Sequence, residues 1–458
     1  MPAQPPPTSR QLAREVLALA VPAFVALVAE PLFLLADAAV IGHLGTTELA
    51  GLGIGAVVLR AAVGSCVFLA YATTAAVARL VGAGDAAAAW RQGVAGLWLA
   101  AAVGLVGTVL GLVGSTTLVG AFDPGQGVAA AATTYLRLSW LGFAPMLVVL
   151  AATGVLRGFS DARTPLLVAV VGNAVNIGLD VLLVYGVGMG IAGSALGTVV
   201  AQGGSAIALT AVVVRRARGA GVLLRPDTAG VRRAARAGGP LVVRTLSLQA
   251  GLLVMTWCAA RLGATAVATH QLAMTIWTFL AFALDAVAIA AQTLTGAALG
   301  AGDVGRTRAT TDWLVRVGLV SGVVTGVLLA LAAPVLGPLF TDDPAVVDTL
   351  AVVLVVAALF QPVAGVVFVL DGVLIGAGDG RWLAVAGTLV TACFAPAAVA
   401  TAAVLGGGAG GDGGADGGAA SGTAWLWAVF GLVFMGGRGL ALVLRARSAS
   451  WMVTGAVR

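Results

Sequence analysis

The chain has no lysine and few charged residues of any kind. All 25 basic residues are arginines, and charged residues make up only 10% of the 458 positions, whereas 60% are hydrophobic. A soluble domain of this size needs a charged surface, so this composition excludes one and is typical of a multi-span membrane protein. The net charge of +6 comes from arginines in short loops, which gives no reason to expect a nucleic-acid partner.

Residues that support metal or covalent chemistry are equally scarce. The two histidines are scattered, and the three cysteines lie inside apolar segments, where a thiol is usually a small core residue. The sequence contains no G-x-x-x-x-G-K-[ST] loop, so ATP is not expected to supply energy. It also shows no Ser/His/Asp or Cys/His set in its aqueous loops. We therefore expect no enzymatic activity and no cofactor.

Long apolar runs recur from end to end. Segments of about 20 apolar residues cross a bilayer as helices. The sequence therefore predicts an all-α polytopic membrane protein with twelve transmembrane helices. The predicted spans are 12–41, 49–80, 93–121, 129–157, 164–187, 191–214, 238–262, 266–299, 309–340, 346–376, 382–405 and 424–445.

The arginines of the loops and tails fall almost entirely on one side of these spans. The opposite loops hold only Arg261, together with several aspartates. Because cytoplasmic loops carry the excess of basic residues, both termini are predicted to be cytoplasmic, and the chain is expected in the inner (plasma) membrane. The arginines on the cytoplasmic side are Arg10, Arg14, Arg79, Arg91, Arg157, Arg163, Arg215, Arg216, Arg218, Arg225, Arg232, Arg233, Arg236, Arg306, Arg308, Arg381, Arg445, Arg447 and Arg458.

The second half of the chain repeats the first. Pro22 corresponds to Pro240, and Gly82–Asp85 corresponds to Gly300–Asp303, an offset of 218 in each case. Six spans per repeat is an even number, so the sequence predicts two parallel six-helix repeats (6+6) related by an axis along the membrane normal. The predicted parts are an N-lobe (1–214, helices 1–6), an Arg-rich cytoplasmic linker (215–237) and a C-lobe (238–458, helices 7–12).

Two aspartates inside the apolar runs of the first half are the leading candidate site. Asp37 and Asp180 correspond to Met255 and Ala398 in the repeat, so neither acid is kept there. A carboxylate within a bilayer is costly unless it faces a wet cavity or is protonated. A packing role would predict a counterpart in the repeat. The one-sided pair indicates a proton or cation site in a transporter.

Several polar residues accompany these acids. Asn173 and Asn176 share a helical stripe with Asp180, so they could bind the carboxyl group or complete an oxygen cage for a small cation; the alternative is an interhelical hydrogen-bond zipper. Glu30 lies seven residues before Asp37 and therefore on the same helical face. In the second half, Asp285 and Asp371 either face substrate or pack helices, and the sequence leaves both readings open.

Three motifs resemble the multidrug and toxic compound extrusion (MATE) transporters, in particular their DinF-like branch. They are PLFLLADAAVIGHLGTTELAGLG in span 1, NAVNIGLDVLLVYGVGMGIAGSALGT across spans 5 and 6, and ATHQLA at 268–273. The resemblance implies an N-lobe cation site at Asp37, Asn176 and Asp180, which could hold sodium, with Tyr135 and Thr198 nearby. It also implies that span 1 bends at Pro22. The chain departs from the family at Phe33 and Thr153, where family members carry Tyr and Asn.

The resemblance implies a secondary antiporter that exports organic cations or amphipathic drugs in exchange for protons or sodium by alternating access. The expected partners are a small-molecule substrate and the lipid bilayer, and we expect a monomer. The alternative is a lipid or lipid-linked oligosaccharide flippase of the same superfamily, which usually needs a basic cavity for pyrophosphate. The arginines inside the predicted spans are Arg60, Arg137, Arg244, Arg316 and Arg438.

Overall fold

The computed structural model describes residues 8–406 and 415–456, except for the side chains of residues 30, 406 and 415–420. Within these ranges the chain is almost entirely helical and forms no strand. The helices are α1 (Ser9–Gly42), α2 (Thr46–Ser65), α3 (Phe68–Gly82), α4 (Ala86–Gly120), α5 (Gln126–Trp140), α6 (Phe143–Gly158), α7 (Arg163–Val181), α8 (Ile191–Gly219), α9 (Thr228–Leu262), α10 (Ala264–Gly300), α11 (Val304–Leu336), α12 (Pro344–Leu359), α13 (Gln361–Gly376), α14 (Gly380–Gly406), α15 (Ala415–Val429) and α16 (Gly436–Arg447).

Among the described residues, ten helical segments are long and apolar enough to cross a membrane. Two further spans are bent helix pairs: α5 and α6 meet at 47°, and α12 and α13 meet at 51°. Counting each bent pair as one span gives the predicted twelve. Short π-helical turns at Leu182–Gly186 and Phe430–Met435 extend α7 and join α15 to α16.

The two bends lie at equivalent positions of the repeat. The first break falls at Leu141 and Gly142 and the second at Phe360, which follows the offset of 218. Each following helix carries a proline in its first turn, Pro145 in α6 and Pro362 in α13. Proline has no backbone N–H, so the hydrogen-bond ladder cannot run through the break. The sequence predicted both spans correctly but not their bends.

Two ion pairs near the ends of the spans are also repeated. Asp161 pairs with Arg216 at 2.9 Å, and its equivalent Asp379 pairs with Arg445 at 2.7 Å. Partial burial raises the pKa of Asp161, but hydrogen bonds from the backbone and hydroxyl of Thr164 and from Arg216 outweigh it, so the pKa lies below its usual value. In each repeat, therefore, an aspartate in the loop before the fifth span of that repeat forms an ion pair with an arginine at the end of its sixth span.

The contacts divide the chain into two compact units. The first unit contains the residues up to Ala20, Pro240–Thr295 and Asp303–Val453. The second contains Val21–Gly239, Gly296–Gly302 and the residues from Thr454. The main division falls at Gly239, close to the predicted start of the C-lobe. Three short segments group with the other half of the chain and not with the half in which they lie in sequence. The start of α1 and the end of α10 are two of these segments.

Within the second unit, the ends of α3 and α10 cross at two glycines that the repeat relates. Gly82 lies against the carbonyl oxygen of Ala297, and Gly300 lies against that of Arg79. A Cβ atom on either glycine would overlap a backbone oxygen. Small residues allow membrane helices to approach this closely, so these two positions set the distance between the helix ends.

We expect Gly82→Ala and Gly300→Ala each to destabilise the protein by about 1–3 kcal/mol, because an added methyl group in a tight contact forces the backbone to shift. Thermal unfolding of the purified protein in detergent would show a lower Tm. The control is Gly203→Ala in α8, where nothing lies within 4 Å of the new Cβ atom. Unchanged Tm values for both crossing variants would contradict the importance of this contact.

Candidate functional site

The candidate site lies in the second unit and combines side chains of α1, α7 and α8. Asp37 on α1 is 3% exposed, Asn176 on α7 is 3% exposed, and Asp180 on the same helix is fully buried. Neither carboxylate forms an ion pair in the described part of the chain. Two arginines were candidate partners in the first half: Arg137 donates instead to Thr116, and Arg60 is exposed on α2.

Asp37 is held by a hydroxyl from α8. The Ser194 hydroxyl donates a hydrogen bond of 2.6 Å to Oδ1 of Asp37. Ser194 is itself fully buried. Sequence reasoning missed this residue, although a signal existed: it lies four positions before Thr198 and therefore on the same face of α8.

Asp180 lies close against the backbone of α8. A Cβ atom on Gly197 would overlap Oδ1 of Asp180, so only glycine leaves room for the carboxyl group there. Both carboxyl oxygens are buried without a hydrogen-bond partner among the described residues. An ionised carboxylate in such surroundings is costly, so the group is stable when it is protonated or when a cation lies beside it.

An amide–hydroxyl pair lies between the same two helices. Asn176 Nδ2 donates to the Thr198 hydroxyl at 3.2 Å, and both side chains are buried. Ser194, Gly197 and Thr198 share one face of α8. On that face Ser194 contacts Asp37, Gly197 contacts Asp180, and Thr198 contacts Asn176. The structure therefore brings together four of the predicted site residues: Asp37, Asn176, Asp180 and Thr198.

The other N-lobe candidates lie around this group in different roles. Tyr135 on α5 is buried in an apolar cluster that includes Ile41 and Ile191. Asn173 donates to the Ala29 carbonyl of α1 at 3.5 Å, which is an interhelical contact of the zipper kind. Pro22 is buried within α1. The side chain of Glu30 lies outside the described residues.

The C-lobe candidates lie in the first unit. Asp371 on α13 is bound by Arg244 and Arg438, so its charge is already balanced inside the protein. Sequence reasoning placed all three residues within spans but did not foresee that they pair. Asp285 is half-buried on α10. Their roles in binding stay predictions.

Twelve apolar spans in two repeats, with two buried carboxylates that form no ion pair in the described part of the chain, are typical of a membrane transporter. The family model MatE matches residues 22–182 and 240–398, one match in each repeat. The chain belongs to the MATE family of multidrug efflux transporters. Members of this family are transporters and not enzymes.

Relatives agree with this assignment, and a solved structure matches the fold. Protein DETOXIFICATION 44, chloroplastic, from Arabidopsis thaliana is 32% identical over 395 residues, which cover 82% of this chain and 74% of that protein. DNA damage-inducible protein F from Escherichia coli (strain K12) is 31% identical over 374 residues, covering 78% and 79%. The fold matches a crystal structure of MATE in complex with MaD3S, with a TM-score of 0.82, 21% identity and coverage of 98% and 100%.

Proposed function

We propose that this protein is a secondary antiporter that exports organic cations or amphipathic drugs in exchange for protons or sodium. The observation that carries the proposal is the buried pair of acids: Asp37 accepts a hydrogen bond from Ser194, and Asp180 has no hydrogen-bond partner among the residues that the structure describes. Neither carboxylate pairs with an arginine in the part of the chain that the structure describes. A site of this kind is neutralised by a mobile cation and not by the protein's own charges.

The chemistry of exchange follows from that requirement. A carboxylate in a low-dielectric site holds its proton more tightly than one in water, so it can take up a proton on the outer side. An organic cation supplies the same neutralising charge, so the proton and the cation compete for the site. Alternating access then couples their movements in opposite directions.

The coupling ion is a proton or sodium. A sodium ion needs several oxygen ligands, and the site offers the carboxyl oxygens of Asp37 and Asp180. The hydroxyl of Thr198 and the amide oxygen of Asn176 are adjacent but already face each other. A proton needs only one free carboxyl oxygen, which Asp180 supplies, so the geometry favours a proton.

We expect Asp37→Asn and Asp180→Asn each to reduce gradient-driven export at least tenfold. An amide keeps the size of the side chain but cannot carry a proton, and it is less costly to bury than a carboxylate, so folding should be preserved. The measurement is efflux of a fluorescent organic cation from proteoliposomes after a pH step, repeated with a sodium step.

The matched control is Asp85→Asn. Asp85 caps α4 by accepting a hydrogen bond from Ala88 N at 2.7 Å, and asparagine is an equally good cap. Its export should match that of the unmodified protein. Gradient-driven export retained in the Asp37→Asn, Asp180→Asn double variant would place the coupling site elsewhere.

Ser194→Ala removes the one hydrogen bond that orients Asp37. We expect export to fall about tenfold or more, since a hydrogen bond to a charged group contributes about 1.5–3 kcal/mol and about 1.4 kcal/mol corresponds to a factor of ten. Ser194→Thr, which keeps the hydroxyl, should retain more activity. Ser115→Ala is the control, because the buried Ser115 hydroxyl donates to the Gly111 carbonyl of its own helix. Equal export by Ser194→Ala, Ser194→Thr and Ser115→Ala would show that Ser194 does not act in the site.

The proposed orientation places both termini on the cytoplasmic side of the inner membrane, with the partition of arginines as its support. Single cysteines at Asp342 and Ala86, in a chain without its native thiols, test it. A membrane-impermeant maleimide applied to intact cells should label Asp342→Cys and leave Ala86→Cys unlabelled. The reverse pattern would invert the topology.

A further inference from the structure

The Arg-rich linker (215–237) carries the whole charge surplus of the chain. It contains seven arginines and one aspartate, a net charge of +6, which equals the net charge of all 458 residues. The basic and acidic residues outside the linker therefore balance. The positive-inside rule requires an excess of basic residues on one side of the membrane but does not require them in one loop. Topology alone thus leaves the concentration of charge in this segment unexplained.

Few of these arginines are neutralised within the protein. Arg216 pairs with Asp161 at 2.9 Å. Arg233 reaches Asp227 at 3.5 Å, but these two side chains are 64% and 61% exposed, and an ion pair as exposed as this contributes little. The remaining five are exposed and form no ion pair in the part of the chain that the structure describes. They are Arg215, Arg218, Arg225, Arg232 and Arg236.

Three of the arginines form one face of a helix. Arg232, Arg233 and Arg236 lie on one side of the first turns of α9 and are exposed; we call them the linker arginine face. The opposite side of these turns packs on α4, where a Cβ atom on Gly230 would lie 3.2 Å from Ala95 Cβ. This close packing fixes the helix so that the three guanidinium groups point away from the second unit.

Two observations place the linker at the level of the lipid headgroups. α9 has 35 residues and is therefore about 52 Å long, whereas the hydrocarbon core of a bilayer is about 30 Å thick, so its first turns extend beyond the core. In the loop before α9, the Leu224 carbonyl accepts a hydrogen bond of 3.0 Å from Trp98 Nε1. Trp98 is 43% exposed and lies at the start of the third predicted span, where tryptophan favours the membrane interface.

An exposed leucine lies beside this contact. Leu223 is 81% exposed, and the nearest arginine in the sequence is Arg225. Segments that lie on a membrane combine such groups, because the apolar side chain reaches the acyl chains while the basic groups contact phosphates. A soluble polyanion would also be attracted by the arginines but would gain nothing from Leu223. The linker therefore favours a lipid.

We propose that the linker arginine face, together with Arg225 and Leu223, binds the headgroups of anionic phospholipids. Each guanidinium can donate two parallel hydrogen bonds to a phosphate group, and Leu223 contacts the acyl chains at the edge of the bilayer. This site is independent of the ion exchange proposed above, because it uses neither Asp37 nor Asp180.

The test measures which lipid lies beside the linker in the full-length protein. A fluorophore is attached to Ala235→Cys in a chain without its native thiols, because Ala235 is exposed and lies next to the linker arginine face without belonging to it. The protein is placed in phosphatidylcholine nanodiscs that contain a small fraction of nitroxide-labelled lipid, either phosphatidylglycerol or phosphatidylcholine. Both leaflets have the same composition, so the result does not depend on the orientation of the protein.

Stronger quenching by phosphatidylglycerol is the expected result. A basic residue near the membrane surface contributes roughly a fivefold preference for an anionic lipid. One headgroup contacts one or two guanidinium groups, so we expect an overall preference of roughly tenfold. Raising the NaCl concentration from about 0.05 M to about 0.5 M should weaken it severalfold, because salt screens exposed charges.

Variants assign the preference to these three arginines. Combining Arg232→Gln, Arg233→Gln and Arg236→Gln should reduce it to about twofold or less, since the charge of the face is lost. Lysine at the same three positions keeps the charge and should retain most of the preference. The control removes the same charge from exposed positions elsewhere and should quench as the unmodified linker does. It combines Arg10→Gln, Arg308→Gln and Arg381→Gln.

Four results would contradict the proposal. Equal quenching by the two lipids in the unmodified linker would leave the face to water or a soluble anion. A preference retained by the triple glutamine variant would place the lipid elsewhere. An equal loss in the control would show that the net charge of the protein, and not this face, attracts the lipid. A triple lysine variant as weak as the glutamine variant would show that altered local structure, and not charge, causes the loss.

Discussion

The cost of a charge inside an apolar medium is the constraint on which this structure depends. The backbone meets it with helices, which satisfy their own hydrogen bonds where no water is available. A charged side chain avoids this cost when its charge is neutralised. Asp371 is neutralised by two arginines of the protein, whereas Asp180 has no hydrogen-bond partner among the described residues. That difference separates a carboxylate whose charge the protein balances from one for which the described residues offer no balancing partner.

The features that occur in both repeats differ in kind from those that occur in one repeat. The features that recur at equivalent positions are structural: the bends before α6 and α13, the Asp161 and Asp379 ion pairs, and the crossing of Gly82 with Gly300. The features found once are chemical. The buried acids occur in the first repeat, and the ion pairs of Asp371 with Arg244 and Arg438 occur in the second. Duplication thus supplies the framework, and departures from it mark the candidate sites.

The sequence predicted the twelve spans, the repeat and the family because each depends on patterns along the chain. It also grouped Asp37, Asn176 and Asp180, since intramembrane polar residues are few, and the resemblance to the family added Thr198. It missed Ser194 and the pairing of Arg244 with Asp371. These contacts join residues that are 157 and 127 positions apart. Helical periodicity shows which residues share a face but not which neighbouring helix that face meets.

The central claim is that the buried acids hold an ion that a cationic substrate displaces. Binding of tetraphenylphosphonium to the purified protein, followed in weakly buffered solution with a pH indicator and with radioactive sodium present, measures that displacement directly. We predict that binding releases protons or sodium, and that the release is lost when Asp37 and Asp180 are both replaced by asparagine. Tight binding of the cation to the unmodified protein with release of neither ion would contradict it.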